Sequence, residues 1–135
     1  MNQADQQPAQ PRKNPCASCP YREGVPSGVW EASEYEKLWR YDGETFEQDS
    51  VAVFMCHQHD GCVCSGWLGH RDPLDLLAVR LGLMDGRLDG SCAEYSTDVP
   101  LFGTGQEAAA HGVKDLQDPS LEAQKVIGKI IRKSA

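Results

Sequence analysis

A split set of cysteines constrains this chain more than any other feature. Cys16 and Cys19 form a C-x-x-C turn between two prolines, and a second group follows about forty residues later, at Cys56, Cys62 and Cys64. Two thiolates on one tight turn can bind a metal ion from the same side, and a second pair from a distant segment can complete a tetrahedron. The pattern therefore predicts a small domain held together by one metal ion.

Length and charge narrow the range of functions. The chain has 135 residues, which favours one domain. Its net charge of −7 argues against general affinity for nucleic acid, because such affinity comes from clustered lysine and arginine. No segment approaches the roughly 20 apolar residues that span a bilayer, and the N-terminus lacks the apolar core of a signal peptide. We therefore expect a cytoplasmic protein without a membrane partner, in a compartment where structural disulfides are rare.

The hydrophobic pattern predicts an α-rich α+β fold. Residues 1–14 show no periodicity and are expected to form a disordered tail, so that the metal-stapled domain spans residues 15–135. Ser27 is a candidate N-cap for a helix over residues 31–41, and the apolar run 51–55 is expected to be a strand that delivers the second cysteine group. The prediction is a small domain of about four helices with a short β element around a four-cysteine site.

Proline and glycine mark the remaining helices. Asp72-Pro73 and Asp118-Pro119 each combine a capping side chain with a proline suited to the first turn. The first of these helices should end near Asp85-Gly86. Shorter helical turns are expected over residues 91–95 and 106–111, the second closed by Gly112.

The spacing of the cysteines leaves the metal and one ligand open. A zinc site would use Cys16, Cys19, Cys56 and Cys64, with Cys62 or a neighbouring histidine, His57 or His59, as an alternate ligand. An iron–sulfur cluster is the alternative, because proline often follows a ligand cysteine in such loops, as Pro20 follows Cys19. The chain lacks the compact run of three cysteines that those loops usually supply.

The sequence gives less support to a catalytic role for these cysteines. A zinc hydrolase or deaminase needs an open metal position, and a deaminase needs an H-x-E or C-x-E pattern before its P-C-x-x-C. No histidine or cysteine precedes Pro15. A thioredoxin-type motif should follow a strand and open a helix, whereas this one follows a polar tail. We therefore predict no catalytic residues, no organic cofactor and a structural metal ion.

Several segments resemble a family of small uncharacterised cysteine-rich metal-binding proteins of actinobacteria and their bacteriophages. The similar blocks are residues 15–22 (PCASCPYR) with 26–30 (PSGVW), 54–57 (FMCH) with 64–68 (CSGWL), 76–80 (LLAVR) and 99–102 (VPLF), with Glu107-Ala108 and His111-Gly112. The resemblance covers roughly residues 15–112.

The resemblance implies a cysteine-dependent metal binder and selects among the candidate ligands. Cys64 matches in preference to Cys62, and His57 also matches, while Cys92 is particular to this chain. By analogy with small acidic phage proteins, we expect a non-enzymatic, phage-encoded protein that binds a host or phage protein. An iron–sulfur redox sensor or regulator is the alternative function.

Overall fold

The computed structural model describes residues 7–56 and 61–134, with side chains up to Ile131. This part of the chain is α-rich with a short β element, as the sequence predicts, although it holds five α-helices where about four were expected. The helices are α1 Ala32–Glu36, α2 Ser65–Gly69, α3 Leu77–Met84, α4 Gly105–Val113 and α5 Leu121–Ser134. Short 3₁₀ helices span Lys37–Tyr41, Thr45–Glu47, Pro73–Asp75 and Gly90–Glu94.

The β element lies around the second cysteine group. Strand β1 (Gln10–Pro11) pairs in parallel with β2 (Cys62–Val63), with Gln10 opposite Cys62. On the other side of β2, Met55 forms an antiparallel bridge to Val63. The strand expected over residues 51–55 is therefore reduced to this bridge, because Val51 and Ala52 lie exposed before the segment reaches β2.

Regular pairing begins before Pro15, where the sequence predicted the domain to start. The backbone N–H of Ala9 donates to Arg87 at 2.8 Å, and Asp89 donates to the carbonyl of Ala9 at 2.9 Å. Backbone hydrogen bonds need no hydrophobic periodicity, so the polar sequence around Gln10 carries no sign of this pairing. The first six residues of the predicted tail lie outside the described residues.

Two predicted helix starts take other roles. Ser27 does not cap α1, whose N-cap is Glu31. Instead its hydroxyl donates to Gly112 at 3.1 Å and accepts from the N–H of Asp115 at 2.7 Å. Asp72 does cap a helix, but it is the 3₁₀ helix Pro73–Asp75, and α3 begins only at Leu77.

The main core surrounds α2. Trp67 is fully buried, with Tyr41 packed edge-on at a centroid separation of 5.2 Å and Phe54 stacked at 6.3 Å. Four of the cysteines, Cys16, Cys19, Cys64 and Cys92, belong to the same core. A second, smaller cluster joins α5 to the loop before α1, with Val25, Val29 and Ala123 buried together.

Helix α4 packs against α1 through a close approach. Gly112 lies so near the ring of Tyr35 that any Cβ at this position would overlap it. Gly112 is therefore inside α4 as a packing residue, and it does not close the helix as the sequence suggested.

Each helix in the described part of the chain is too short or too polar to span a lipid bilayer.

Candidate metal centre

The C-x-x-C segment forms two consecutive turns. The N–H of Cys19 donates to Cys16 at 3.0 Å, and the N–H of Arg22 donates to Cys19 at 3.1 Å. The Arg22 guanidinium also donates to the carbonyl of Pro15 at 3.0 Å, which joins the two ends of the segment. Both thiols consequently project from one rigid, buried loop.

Side chains around the loop hold it in place. The indole Nε1 of Trp30 donates to the carbonyl of Ser18 at 2.7 Å. The hydroxyl of Ser18 lies 3.4 Å from the Cys16 sulfur, within hydrogen-bonding range for sulfur. Trp30, which lies just before α1, thus supports the first cysteine turn.

The second cysteine group is delivered by β2 and α2. Cys64 follows β2 directly and is the N-cap residue of α2. Its N–H donates to Phe54 at 2.8 Å. The Cys19 thiol and burial raise the pKa of its thiol, and the backbone N–H groups of Trp67 and Gly66 oppose the rise. These N–H groups stabilise negative charge on the sulfur.

The two groups meet at Cys19 and Cys64. Their sulfur atoms lie 3.7 Å apart across 45 positions of sequence. Gly66 sits directly against the Cys19 sulfur, so that a Cβ at this position would overlap it. A glycine at the first turn of α2 is therefore what allows the two thiols to approach each other.

Cys16 and Cys56 lie around this pair. Burial raises the pKa of Cys16, and the nearby thiols of Cys56 and Cys64 raise it further, while Ser18 opposes the shift. The Cys19 thiol and burial raise the pKa of Cys64 well above its usual value. All four sulfurs are buried. A bound cation would reverse these shifts, because it favours the thiolate.

The four buried thiols do not form a complete metal site in the described structure. Over residues 7–56 and 61–134, no group of three or more histidine, cysteine, aspartate or glutamate side chains is arranged closely enough to hold a metal ion. The predicted four-cysteine site is therefore represented by one close pair, Cys19 and Cys64, with Cys16 and Cys56 beside it.

The alternate ligands and the sixth cysteine lie elsewhere. Cys62 is half-buried. Cys92 is fully buried near β1, with its thiol 3.6 Å from the carbonyl of Ala9, and burial raises its pKa to about 11. His57 and His59 lie outside the described residues. No disulfide joins any two of the six cysteines, all of which lie in the described part of the chain.

Sequence reasoning missed the aromatic packing beside the site. Tyr21 is fully buried near Cys64, and its ring stacks on His70 at a centroid separation of 4.3 Å. The Nδ1 of His70 pairs with the carbonyl of Trp67, and burial lowers the pKa of His70 to about 4. No local pattern could indicate this stack, because the two rings are brought together only by the fold.

A cleft of about 530 Å³ opens beside Cys56. Its walls are residues of α1, the following 3₁₀ helix and the segment before Cys56: Glu34, Lys37, Arg40, Tyr41, Ser50, Ala52, Val53, Phe54, Met55 and Cys56. The Tyr41 hydroxyl donates to the carbonyl of Ala52 at 2.7 Å and holds the two walls together.

The chain matches a known protein family. No curated protein and no solved structure matches the chain. The model of a family of unknown function, DUF6283, matches residues 11–125, which include all six cysteines. The metal binding and the actinobacterial or phage origin expected from the sequence remain predictions. Because the match covers most of its length, the chain belongs to the DUF6283 family.

Proposed function

We propose that this protein is a non-enzymatic binding module whose fold is stabilised by one structural zinc ion. The ligands in this proposal are Cys16, Cys19, Cys56 and Cys64. The ion would join the N-terminal C-x-x-C loop to the start of α2, and the free energy of metal binding would add to the stability of a small core.

The separation of the Cys19 and Cys64 sulfurs carries the proposal. Zinc binds thiolates at about 2.3 Å in a tetrahedron, whose edges are therefore about 3.8 Å long. The observed 3.7 Å matches one such edge. The proposal requires Cys16 and Cys56, which already lie near this pair, to close onto it and complete the tetrahedron.

The chemistry of the surroundings also supports a bound cation. The Cys19 thiol and burial raise the pKa of Cys64, and the backbone N–H groups of Gly66 and Trp67 oppose that rise. Burial raises the pKa of Cys16, and Ser18, whose hydroxyl lies 3.4 Å from the Cys16 sulfur, opposes it. Hydrogen bonds of this kind favour thiolates, which are the form that binds metal. Burial of four uncompensated thiolates would be costly, so a divalent cation suits this donor set.

An iron–sulfur cluster is the alternative cofactor, with a redox sensor or regulator as the function. In a cubane cluster each cysteine binds a different iron atom. Two cysteine sulfurs that bind a cluster are therefore farther apart than two cysteine sulfurs that bind one ion. The 3.7 Å separation of the Cys19 and Cys64 sulfurs favours the single ion.

Elemental analysis of the purified protein tests the metal. We expect one zinc per chain in a colourless preparation, and an X-ray absorption spectrum with sulfur ligands only. Cys19→Ala and Cys64→Ala should lose zinc, whereas Cys92→Ala should keep it, because Cys92 packs against Ala9 away from the pair. Iron and sulfide in a brown preparation would reject the zinc ion in favour of an iron–sulfur cluster. A metal-free, stably folded protein would reject both the zinc ion and the cluster.

The cleft beside Cys56 is the surface we assign to a protein partner. The backbone hydrogen bonds of Cys56 and Phe54 lie on the side of their segment that faces β2. Because backbone groups alternate in direction along a strand, those of Val53 and Met55 point to the opposite side, away from β2. Within the described chain these two residues form no backbone hydrogen bond. Met55 is also exposed. An extended segment of a partner could add here as a strand.

Site-specific crosslinking tests this surface. A photoreactive amino acid is placed at Met55, and in a matched variant at Met84, which is also exposed but lies at the end of α3. We expect a discrete crosslinked partner from position 55 that Val53→Pro abolishes. Equal products from both positions would show nonspecific contact and reject the assignment.

A further inference from the structure

Cys62 differs from the other cysteines in its exposure. It is half-exposed, whereas Cys16, Cys19, Cys56, Cys64 and Cys92 are buried. It precedes Val63 in β2 and takes no part in the close pair of thiols. A small oxidant in solution would therefore reach the Cys62 sulfur before the buried ones.

The register of the β element places Cys62 opposite Cys56. The N–H of Cys56 donates to the carbonyl of Cys62 at 2.9 Å, and the N–H of Cys64 donates to Phe54 at 2.8 Å. These two bonds flank the antiparallel bridge between Met55 and Val63. In such a ladder the residues on either side of the bridge face each other, and opposed side chains lie on the same face.

This arrangement is compatible with a disulfide. Opposed residues at such ladder positions have Cα atoms about 5.5 Å apart, inside the range of about 4.4–6.8 Å that disulfides span. Cys64 is two residues along the same strand and opposes Phe54 instead. Cys56 is consequently the partner that the backbone presents to Cys62.

We propose that Cys56 and Cys62 form a peroxide-sensitive pair whose disulfide releases the metal ion. Hydrogen peroxide oxidises the Cys62 thiol to a sulfenic acid and is reduced to water. The Cys56 thiolate then attacks the Cys62 sulfur, the S–S bond forms, and the hydroxyl leaves with a proton as a second water. Two thiols lose two electrons in total, and the two oxygen atoms of the peroxide end as water.

The step removes one ligand from the proposed zinc site. A disulfide sulfur no longer carries the negative charge that binds zinc, so the site falls from four thiolates to three and its affinity drops. This inference rests on the proposed zinc site for its consequence, while the disulfide itself depends only on the opposed cysteines. Reduction by a dithiol would restore both thiols and the site.

The test compares wild-type protein with Cys62→Ser and Cys92→Ala. Zinc content is measured first, and hydrogen peroxide is then added while a chromogenic chelator reports released zinc. Peptide mass spectrometry maps the disulfides. We expect zinc release from wild type and Cys92→Ala together with a Cys56–Cys62 disulfide, and release slowed on the order of tenfold in Cys62→Ser because the exposed thiol is missing.

The outcomes separate the two proposals. Equal release rates in wild type and Cys62→Ser would overturn the switch while leaving the zinc site in place. If the starting protein holds no zinc, the zinc proposal fails, and mapping still decides whether peroxide joins Cys56 to Cys62. A different disulfide, or none, would overturn the pair in either case. Circular dichroism before oxidation checks that the Cys62→Ser variant, altered at a half-exposed position, is folded.

Discussion

The sulfur atoms of Cys19 and Cys64 lie 3.7 Å apart, although 45 positions separate them in the chain. Gly66 packs against the Cys19 sulfur, and its N–H favours the charged form of the Cys64 thiol. The contact between the two cysteine groups therefore depends on the backbone at the start of α2, and not on the cysteines alone.

Gly66→Ala should disrupt this contact. A helical alanine is ordinarily about 1 kcal/mol more favourable than glycine, but here its Cβ would overlap the Cys19 sulfur. We expect a lower melting temperature and reduced zinc content. Gly24→Ala is the control, because nothing lies within 4 Å of a Cβ at that position. Unchanged metal content in Gly66→Ala would show that Cys19 and Cys64 can separate without loss of the site.

His70 should make the fold sensitive to mild acid. Burial lowers its pKa from 6.5 to about 4, so the unfolded chain takes up a proton more readily than the folded one. The stability is fully present above about pH 6.5 and falls as the pH drops towards 4, by up to about 3 kcal/mol in all.

Urea denaturation at pH 7 and pH 5.5 measures this dependence. His70→Gln keeps a polar side chain but cannot take up the proton, so the difference in unfolding free energy between the two pH values should shrink in the variant. The same slope in both proteins would assign the acid sensitivity to other groups.

Asp42 should stabilise α4 from outside the helix. Its carboxylate accepts from the N–H of Gly105 at 2.6 Å and of Gln106 at 2.8 Å, the first residues of the helix. Asp42→Ala should cost about 1–2 kcal/mol and speed amide hydrogen exchange at these two positions. Asp49→Ala, at an exposed position, should leave exchange in α4 unchanged. If exchange at Gly105 does not change, the capping role is wrong.

Ser27→Ala tests the link between the loop before α1 and the end of α4. The change leaves the carbonyl of Gly112 and the N–H of Asp115 without their hydroxyl partner. For groups buried in this way we expect a loss of about 2 kcal/mol in unfolding free energy. Ser33→Ala, on the exposed side of α1, is the comparison and should change stability little. Similar losses in the two variants would contradict the tertiary role of Ser27.

Local patterns predicted much of the helical structure. The helix predicted over residues 31–41 and the starts predicted at Asp72-Pro73 and Asp118-Pro119 all correspond to helical segments in the structure, with shifted boundaries. Such signals arise from interactions within a few residues, which a sequence displays directly. The 51–55 run was less informative, because a strand needs a partner, and within this run Phe54 and Met55 are the residues that pair beside β2.

The candidate metal site, like the fold, could be predicted from the sequence only in part. Two features could be anticipated from the sequence: that Cys16 and Cys19 share one turn, and that a second cysteine group must come from a distant segment. Spacing left Cys62 as an alternate to Cys64, and the family resemblance favoured Cys64. The register of β2 separates them, since it places Cys64 beside Cys19 and leaves Cys62 half-exposed opposite Cys56.

The sequence by itself determined that Cys16 and Cys19 share one turn and where most of the helical segments lie, because each follows from short-range geometry. Only the tertiary structure decided that β1 pairs with β2, that Ser27 joins α4 and that Tyr21 stacks on His70. Contacts between distant segments form only where the whole chain gains more from packing and hydrogen bonds than it loses in conformational entropy. That balance of free energies belongs to the whole chain and cannot be read from any one short segment.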